Sequence, residues 1–118
     1  YPHFLGYADE RGEGQGDGAN LNLPLPYGTD WRAYEAALDV CLAKVAAFAP
    51  DIVIVALGLD TFAEDPIAKF RLLKDDYLKL GARLTRLNRP VLFTMEGGYN
   101  LDALGMITAN ALEGFLNA

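Results

Sequence analysis

The sequence predicts an α/β fold with a mainly parallel sheet, and three observations carry that prediction. Two short apolar runs, Ile52 to Leu57 and Val91 to Met95, read as buried strands. Helical periodicity lies before, between and after them. The intervening stretch, residues 58–90, is long enough for the right-handed crossover that joins parallel strands.

Taken in order, residues 1–18 are rich in glycine and acidic side chains, and Gly12, Gly14, Gly16 and Gly18 argue for a loop. Asn20 to Leu25 alternates polar and apolar residues, which predicts a short strand ended by Pro24 and Pro26. From Asp30 the period changes: Trp31, Tyr34, Leu38, Cys41, Leu42 and Val45 fall on one helical face. Thr29 or Asp30 would cap that helix, and Pro50 would stop it. After the first strand comes a turn-rich segment, Gly58 to Pro66. A second helix then presents Leu73, Tyr77, Leu80, Gly81, Leu84 and Leu87 on one face, although Leu73-Lys74 stands where a Ser or Thr cap is expected. Val91 to Met95 leads into Glu96-Gly97-Gly98-Tyr99. A last helix capped by Asn100 is expected to bury Leu101, Leu104, Ile107, Ala111, Leu112 and Phe115. Three helices can hardly cover both faces of so apolar a sheet, so more sheet is expected outside these residues.

Composition narrows the function. The 118 residues are 52% hydrophobic and 22% charged, with net charge −6, one cysteine and one histidine. This suits one packed domain at most. A single cysteine excludes an internal disulfide framework and a CxxC-type zinc site, and a lone His3 excludes a histidine-rich metal centre within the chain. A pI near 4.6 argues against nucleic-acid binding. No apolar stretch reaches the ~18 residues of a membrane span, and no secretory leader opens the chain, so a soluble protein of a reducing, cytoplasmic compartment is expected. The chain starts at Tyr1 rather than Met, which suggests a segment upstream.

Ligands in open parallel α/β sheets bind beyond the carboxyl ends of the strands. Two segments lie there, GLDTFAEDP and EGGYN. Neighbouring parallel strands are roughly 5 Å apart, so Asp60 and Tyr99 can face one cavity. Asp60 offers an acceptor-only carboxylate and Tyr99 a phenolic donor. An Asp after a strand is equally a turn residue or a helix cap, and a Gly-Gly-Tyr turn is often purely structural. Pattern and spacing stop at that point.

The two loops together, in order and at strand ends, resemble the zinc-dependent histone deacetylase superfamily. The likeness runs along the whole chain: YP and a Gly-rich loop, NLPLP, a helix, IVIVALG followed by Asp60, DP, a helix before RPVLF, and EGGYN. The YADERGEG, NLNLPLP and EGGY segments look more like its bacterial class II and acetylpolyamine amidohydrolase branch. The resemblance implies a three-layer α/β/α, arginase/deacetylase-like fold, with residues 1–118 the C-terminal part of a single deacetylase-like domain. It implies hydrolysis of N-acetyl amides of acetyl-lysine or acetylpolyamines, with zinc as cofactor and an acetylated amine as partner. Asp60 then matches a zinc ligand, and Tyr99 the tyrosine that donates to the carbonyl oxygen as it becomes an oxyanion. Gly97, Gly98, Ile67 and Tyr1 match positions along the substrate channel. The family's other metal aspartate and histidine, and its tandem histidines acting as base, lie upstream of the matched region. His3 falls after those elements, so it is not expected to serve as ligand or base. The isolated chain is therefore expected to be inactive. The alternatives are a non-catalytic α/β fragment and a module that binds acetylated ligands without hydrolysing them. An exposed sheet edge and apolar faces would favour a homo-oligomer.

Other features have plainer readings. The spaced glycines lack a preceding strand and a Gly-Lys-Ser/Thr, and Glu13 and Asp17 would repel phosphate. Asp9, Glu10, Glu13 and Asp17 could attract cationic substrates, but a solvated loop explains them as well. Cys41 is expected to be a buried, inert thiol, and Glu96 to hydrogen-bond the loop backbone rather than act as an acid or base.

Overall fold

The ends of the regular elements are set by side chains that can be named. The computed structural model describes residues 5–118, so the expectations for Tyr1 and His3 lie outside the described residues. Helix α1 (Trp31–Phe48) starts where Asp30 Oδ1 accepts the Ala33 N–H at 3.0 Å. It stops at Ala49, which adopts the left-handed conformation (φ 54°) before Pro50. Strands β1 (Val53–Leu57) and β2 (Val91–Met95) pair in parallel, with Val53 opposite Val91 and Leu57 opposite Met95. Helix α2 (Asp76–Leu84) and a following 3₁₀ turn (Thr85–Leu87) lie in the crossover, and α3 (Leu101–Leu116) follows β2. Its cap is Asn100, whose Oδ1 accepts the Ala103 N–H at 3.1 Å.

All three helices cover one face of the strand pair. Val53, Val55, Val91 and Phe93 point into it, against Leu38, Leu42 and Val45 of α1, Leu80 and Leu84 of α2, and Ile107 and Phe115 of α3. Phe93 and Phe115 meet edge to face at 5.1 Å. On the opposite face Ile54 is 66% exposed and Leu92, its register partner, 54%. Runs that read as buried on both sides are thus covered on one side by the described residues. The expectation that three helices cannot cover both faces agrees with this.

The closest helix pair is α2 with α3, and glycine makes it possible from both sides. A Cβ at Gly81 would overlap the Ala111 carbonyl oxygen, and one at Gly114 would overlap that of Leu78. Helix α1 is tied to α2 by ions instead: Arg83 reaches Glu35 and, at 2.8 Å, Asp39, which Arg86 also meets at 3.0 Å. These pairs are partly exposed and each contributes about 0–1 kcal/mol.

Several local expectations are corrected. Residues 20–25 form no strand: Pro24 and Pro26 have no N–H to give, and Asn20 and Asn22 bond back to the Glu10 and Tyr7 carbonyl oxygens at 2.7 and 2.9 Å. Helix α2 begins later than Leu73, which is 62% exposed. Asp75 stands at the cap position without a side-chain cap bond, and Asp76 Oδ2 instead reaches back to accept the Leu73 N–H at 2.8 Å. On α3 the buried stripe is Ala103, Ile107 and Ala111, while Leu101 is 81% exposed because it opens the helix on the side away from α2. Leu112 is exposed too.

Candidate functional site

The strand pairing does not stop where the strands do. Glu96 donates its N–H to the Leu57 carbonyl at 3.1 Å, and Leu59 donates to the Gly97 carbonyl at 2.6 Å. The loop after β1 and the loop after β2 therefore run side by side, which carries Asp60 next to Gly97. Asp60 is half-buried, and its carboxylate accepts no hydrogen bond from the described residues. A Cβ at Gly97 would come within 2.5 Å of Asp60 Oδ2, so glycine here leaves room for that carboxylate. Gly98 answers a different demand: its φ is 145°, and a Cβ would stand 2.9 Å from Leu104 Cδ1 and 3.1 Å from Leu59 Cβ.

Tyr77 supports the first loop from below. It is fully buried, donates to the Leu59 carbonyl at 3.3 Å and shares a 3.0 Å hydrogen bond with Thr61 Oγ1. Burial pushes its phenol far above the ordinary value; the Thr61 hydrogen bond opposes this, and the charges of Asp60 and Asp65 add to it. Tyr34 is raised as well, by burial first and then by Cys41 and Asp60. Two neutral phenols thus lie beneath a carboxylate whose negative charge both of them feel.

Above this floor is a cavity of about 850 Å³. Asp60, Thr61 and Tyr99 line one side, Ile67, Ala68 and Phe70 another, and Leu21, Leu23, Pro24 and Pro26 a third. The segment 20–26 is thus a wall rather than a strand. Ile67 is 58% exposed and Tyr99 49%, so both side chains are available to a ligand. The structure brings Asp60, Tyr99 and Ile67 to one cavity, while Gly97 and Gly98 pack beneath it; Tyr1 is not described.

Sequence reasoning missed Asp65. It is 6% exposed, and its Oδ1 accepts the N–H groups of Ile67 at 2.8 Å and Ala68 at 3.1 Å. Its Oδ2 accepts the Tyr99 N–H at 2.8 Å. Burial works against its charge, yet the N–H groups of Tyr99, Ile67, Ala68 and Asn100 together hold the carboxyl below its usual value. The local half of this pattern was legible, since an Asp accepting from N–H groups two and three residues on is a common turn. The bond to Tyr99 had no signal in sequence. Asn100 was read only as a cap, but its Nδ2 also donates to the Glu64 carbonyl at 2.9 Å. The loop is closed at its base by a bridge between Phe62 and Leu72, so its tip projects to the cavity.

The remaining candidates are plainer. Glu10 Oε2 accepts from the Gly6 and Tyr7 N–H groups and from Asn22, which makes it part of the loop's own framework. Glu96 is exposed, and Cys41 is half-buried, with burial raising its pKa. No group of three His, Cys, Asp or Glu that could hold a metal ion occurs among the described residues. Among the described residues Asp60 fits a place in such a set: a hard oxygen donor at a cavity wall that accepts no hydrogen bond from them. No helix of the described residues is long and apolar enough to cross a membrane.

Known proteins resemble this chain in sequence and fold. The sequence profile of the histone deacetylase domain family matches residues 1–115. Acetylpolyamine amidohydrolase 1 of Pseudomonas aeruginosa is 52% identical over 118 residues, all of this chain and 34% of that protein. The acetylpolyamine amidohydrolase of Mycoplana ramosa is 42% identical over 97% of this chain and 33% of its own length. The crystal structure of acetylpolyamine aminohydrolase from Burkholderia pseudomallei superposes with a TM-score of 0.95 at 34% identity, covering 99% of this chain and 34% of that one. The chain thus spans about a third of the length of the relatives it matches. The α/β architecture with parallel strands is that of the solved deacetylases.

Proposed function

Because the chain belongs to the histone deacetylase domain family, we propose that it carries part of the catalytic site of a zinc-dependent amidohydrolase. The reaction would release acetate from an acetylated amine, by addition of water to the amide carbonyl and cleavage of the C–N bond. The observation that supports this most directly is the cavity shared by Asp60 and Tyr99, where the Asp60 carboxylate accepts no hydrogen bond from the described residues. Asp60 would hold the metal through its side-chain oxygens. Bound zinc, when present, polarises a carbonyl and lowers the pKa of water to about 7. Tyr99 would donate its hydroxyl hydrogen to the carbonyl oxygen as that oxygen gains negative charge, an interaction worth about 2.7–4 kcal/mol in other hydrolases. Ile67 and the Leu21–Pro26 wall suit an aliphatic chain, and Gly97 leaves room for the Asp60 carboxylate beside it. Of the two substrate classes, acetylpolyamines have the better support. The relatives at 52%, 49% and 42% identity are named for them, whereas plant proteins named histone deacetylases stand at 33–36%.

Among the described residues Asp60 is the one carboxylate lining the cavity, so the isolated 118 residues are expected not to turn over substrate. The deciding experiment compares Asp60→Ala and Tyr99→Phe in the natural protein that contains this chain. Asp60→Ala is expected to lose zinc, and Tyr99→Phe to keep zinc while kcat falls on the order of 10²–10³-fold. Full zinc and activity in Asp60→Ala, or wild-type turnover in Tyr99→Phe, would sink the assignment. Zinc-dependent deacetylation by the isolated chain would sink the expectation of inactivity.

A further inference from the structure

Two walls of the cavity are joined through a single buried side chain. Asp65 Oδ2 accepts the Tyr99 N–H at 2.8 Å, and Oδ1 of the same carboxylate accepts the N–H groups of Ile67 and Ala68 at 2.8 and 3.1 Å. Tyr99 follows two glycines, which do little to restrain it, and its side chain is half-exposed, so packing does not fix it either. What does fix it is polar. Ahead of its Cα stands the bond to Asp65, and behind it the Asn100 side chain, which caps α3 and reaches the Glu64 carbonyl at 2.9 Å.

We propose that Asp65 is a positioning residue for the reaction: its carboxylate pins the Tyr99 backbone to the Ile67–Ala68 wall and so sets where the Tyr99 hydroxyl meets a substrate carbonyl. This rests on the reading of Tyr99 as the oxyanion donor. Asparagine at position 65 keeps the size but presents N–H to N–H on one side, so one of the two walls is released. A displacement near 1 Å at a group that acts only in the transition state costs on the order of 10²-fold in rate.

The test uses the natural protein containing this chain, with an N-acetylated diamine as substrate, in the variants Asp65→Asn, Tyr99→Phe and the double variant. Asp65→Asn is expected to lower kcat on the order of 10²-fold, with KM and zinc content unchanged. The Tyr99 amide should exchange its hydrogen faster than in the parent. In the Tyr99→Phe background the same substitution should cost less than about threefold, because the hydroxyl it positions is gone. An equal fold-loss on both backgrounds would show a general structural role and overturn the proposal. So would unchanged protection of the Tyr99 amide in Asp65→Asn. Wild-type turnover by Tyr99→Phe would instead overturn the oxyanion reading, with amide exchange still deciding whether Asp65 holds the loop. Should Asp65→Asn fail to fold, Asn100→Ser keeps a good helix cap but cannot reach Glu64. Its expected loss is about tenfold, again confined to the background that retains the Tyr99 hydroxyl, and an equal loss in both would refute the positioning role.

Discussion

Replacing Gly97 by alanine separates metal binding from folding more cleanly than any other change at this site. The new Cβ would stand 2.5 Å from Asp60 Oδ2 and 2.8 Å from its Cγ. Restoring ordinary contact at 3.4 Å moves Oδ2 by about 0.9 Å. Gly97 does not have a positive φ, so alanine strains no backbone. The obstacle is the far end of one side chain, which can swing away, so the melting temperature should hardly move. Metal–ligand distances, however, tolerate only about ±0.2 Å. A donor displaced several times that far should weaken zinc by about 10–100-fold. A competition titration against a chromophoric chelator measures this, alongside thermal melting of the metal-free protein. Gly98→Ala makes the contrast, because its φ of 145° and the Leu104 contact should lower stability first. Zinc affinity within twofold of the parent in a normally folded Gly97→Ala would refute the reasoning that this glycine exists to seat Asp60.

Three further outcomes are expected. Gly81→Ala forces a Cβ into the Ala111 carbonyl and should destabilise the protein by about 1–3 kcal/mol or prevent folding, whereas Gly105→Ala, which meets nothing within 4 Å, should stabilise it by about 0.5–1 kcal/mol; denaturant titration distinguishes them. Asp30→Ala removes the α1 cap and should cost about 1 kcal/mol by the same assay. Asp65 has a lowered pKa in the folded state, so its charged form stabilises the fold above the unfolded value of ~3.9, and that contribution disappears as pH falls through the lower folded value. Melting temperatures across pH 2–6 should therefore fall less steeply on the acid side for Asp65→Asn than for the parent.

The elements with strong periodic or apolar signals were legible in the sequence. Helix α1, both strands and α3 lie where pattern and caps put them, because Asp30, Pro50 and Asn100 act locally. Residues 20–25 misled because alternation reports which side chains face inward, not whether a neighbouring strand supplies hydrogen bonds. Leu101 and Leu112 misled because the face that α3 buries runs through Ala103, Ile107 and Ala111, which leaves both leucines on the exposed side. At the site, that Asp60 and Tyr99 would share a cavity followed from parallel pairing alone. The part played by Asp65 did not, because its bond to Tyr99 spans 34 positions and depends on two loops meeting in space.

The hydrogen bonds from Glu96 to Leu57 and from Leu59 to Gly97 prolong the strand ladder into both loops. Asp60 and Gly97 consequently ride on one stiff body, to which Asp65 ties Tyr99. Slow bending of the sheet end moves them together and leaves their separation nearly unchanged, whereas independent loops would drift apart. The same coupling makes the site sensitive to register. A one-residue slip between Val53–Leu57 and Val91–Met95 would turn every side chain over, carrying Tyr99 past Asp60 even though neither residue had changed. Substitutions deep in β1 or β2 that loosen pairing should therefore register as lost chemistry before they register as lost fold.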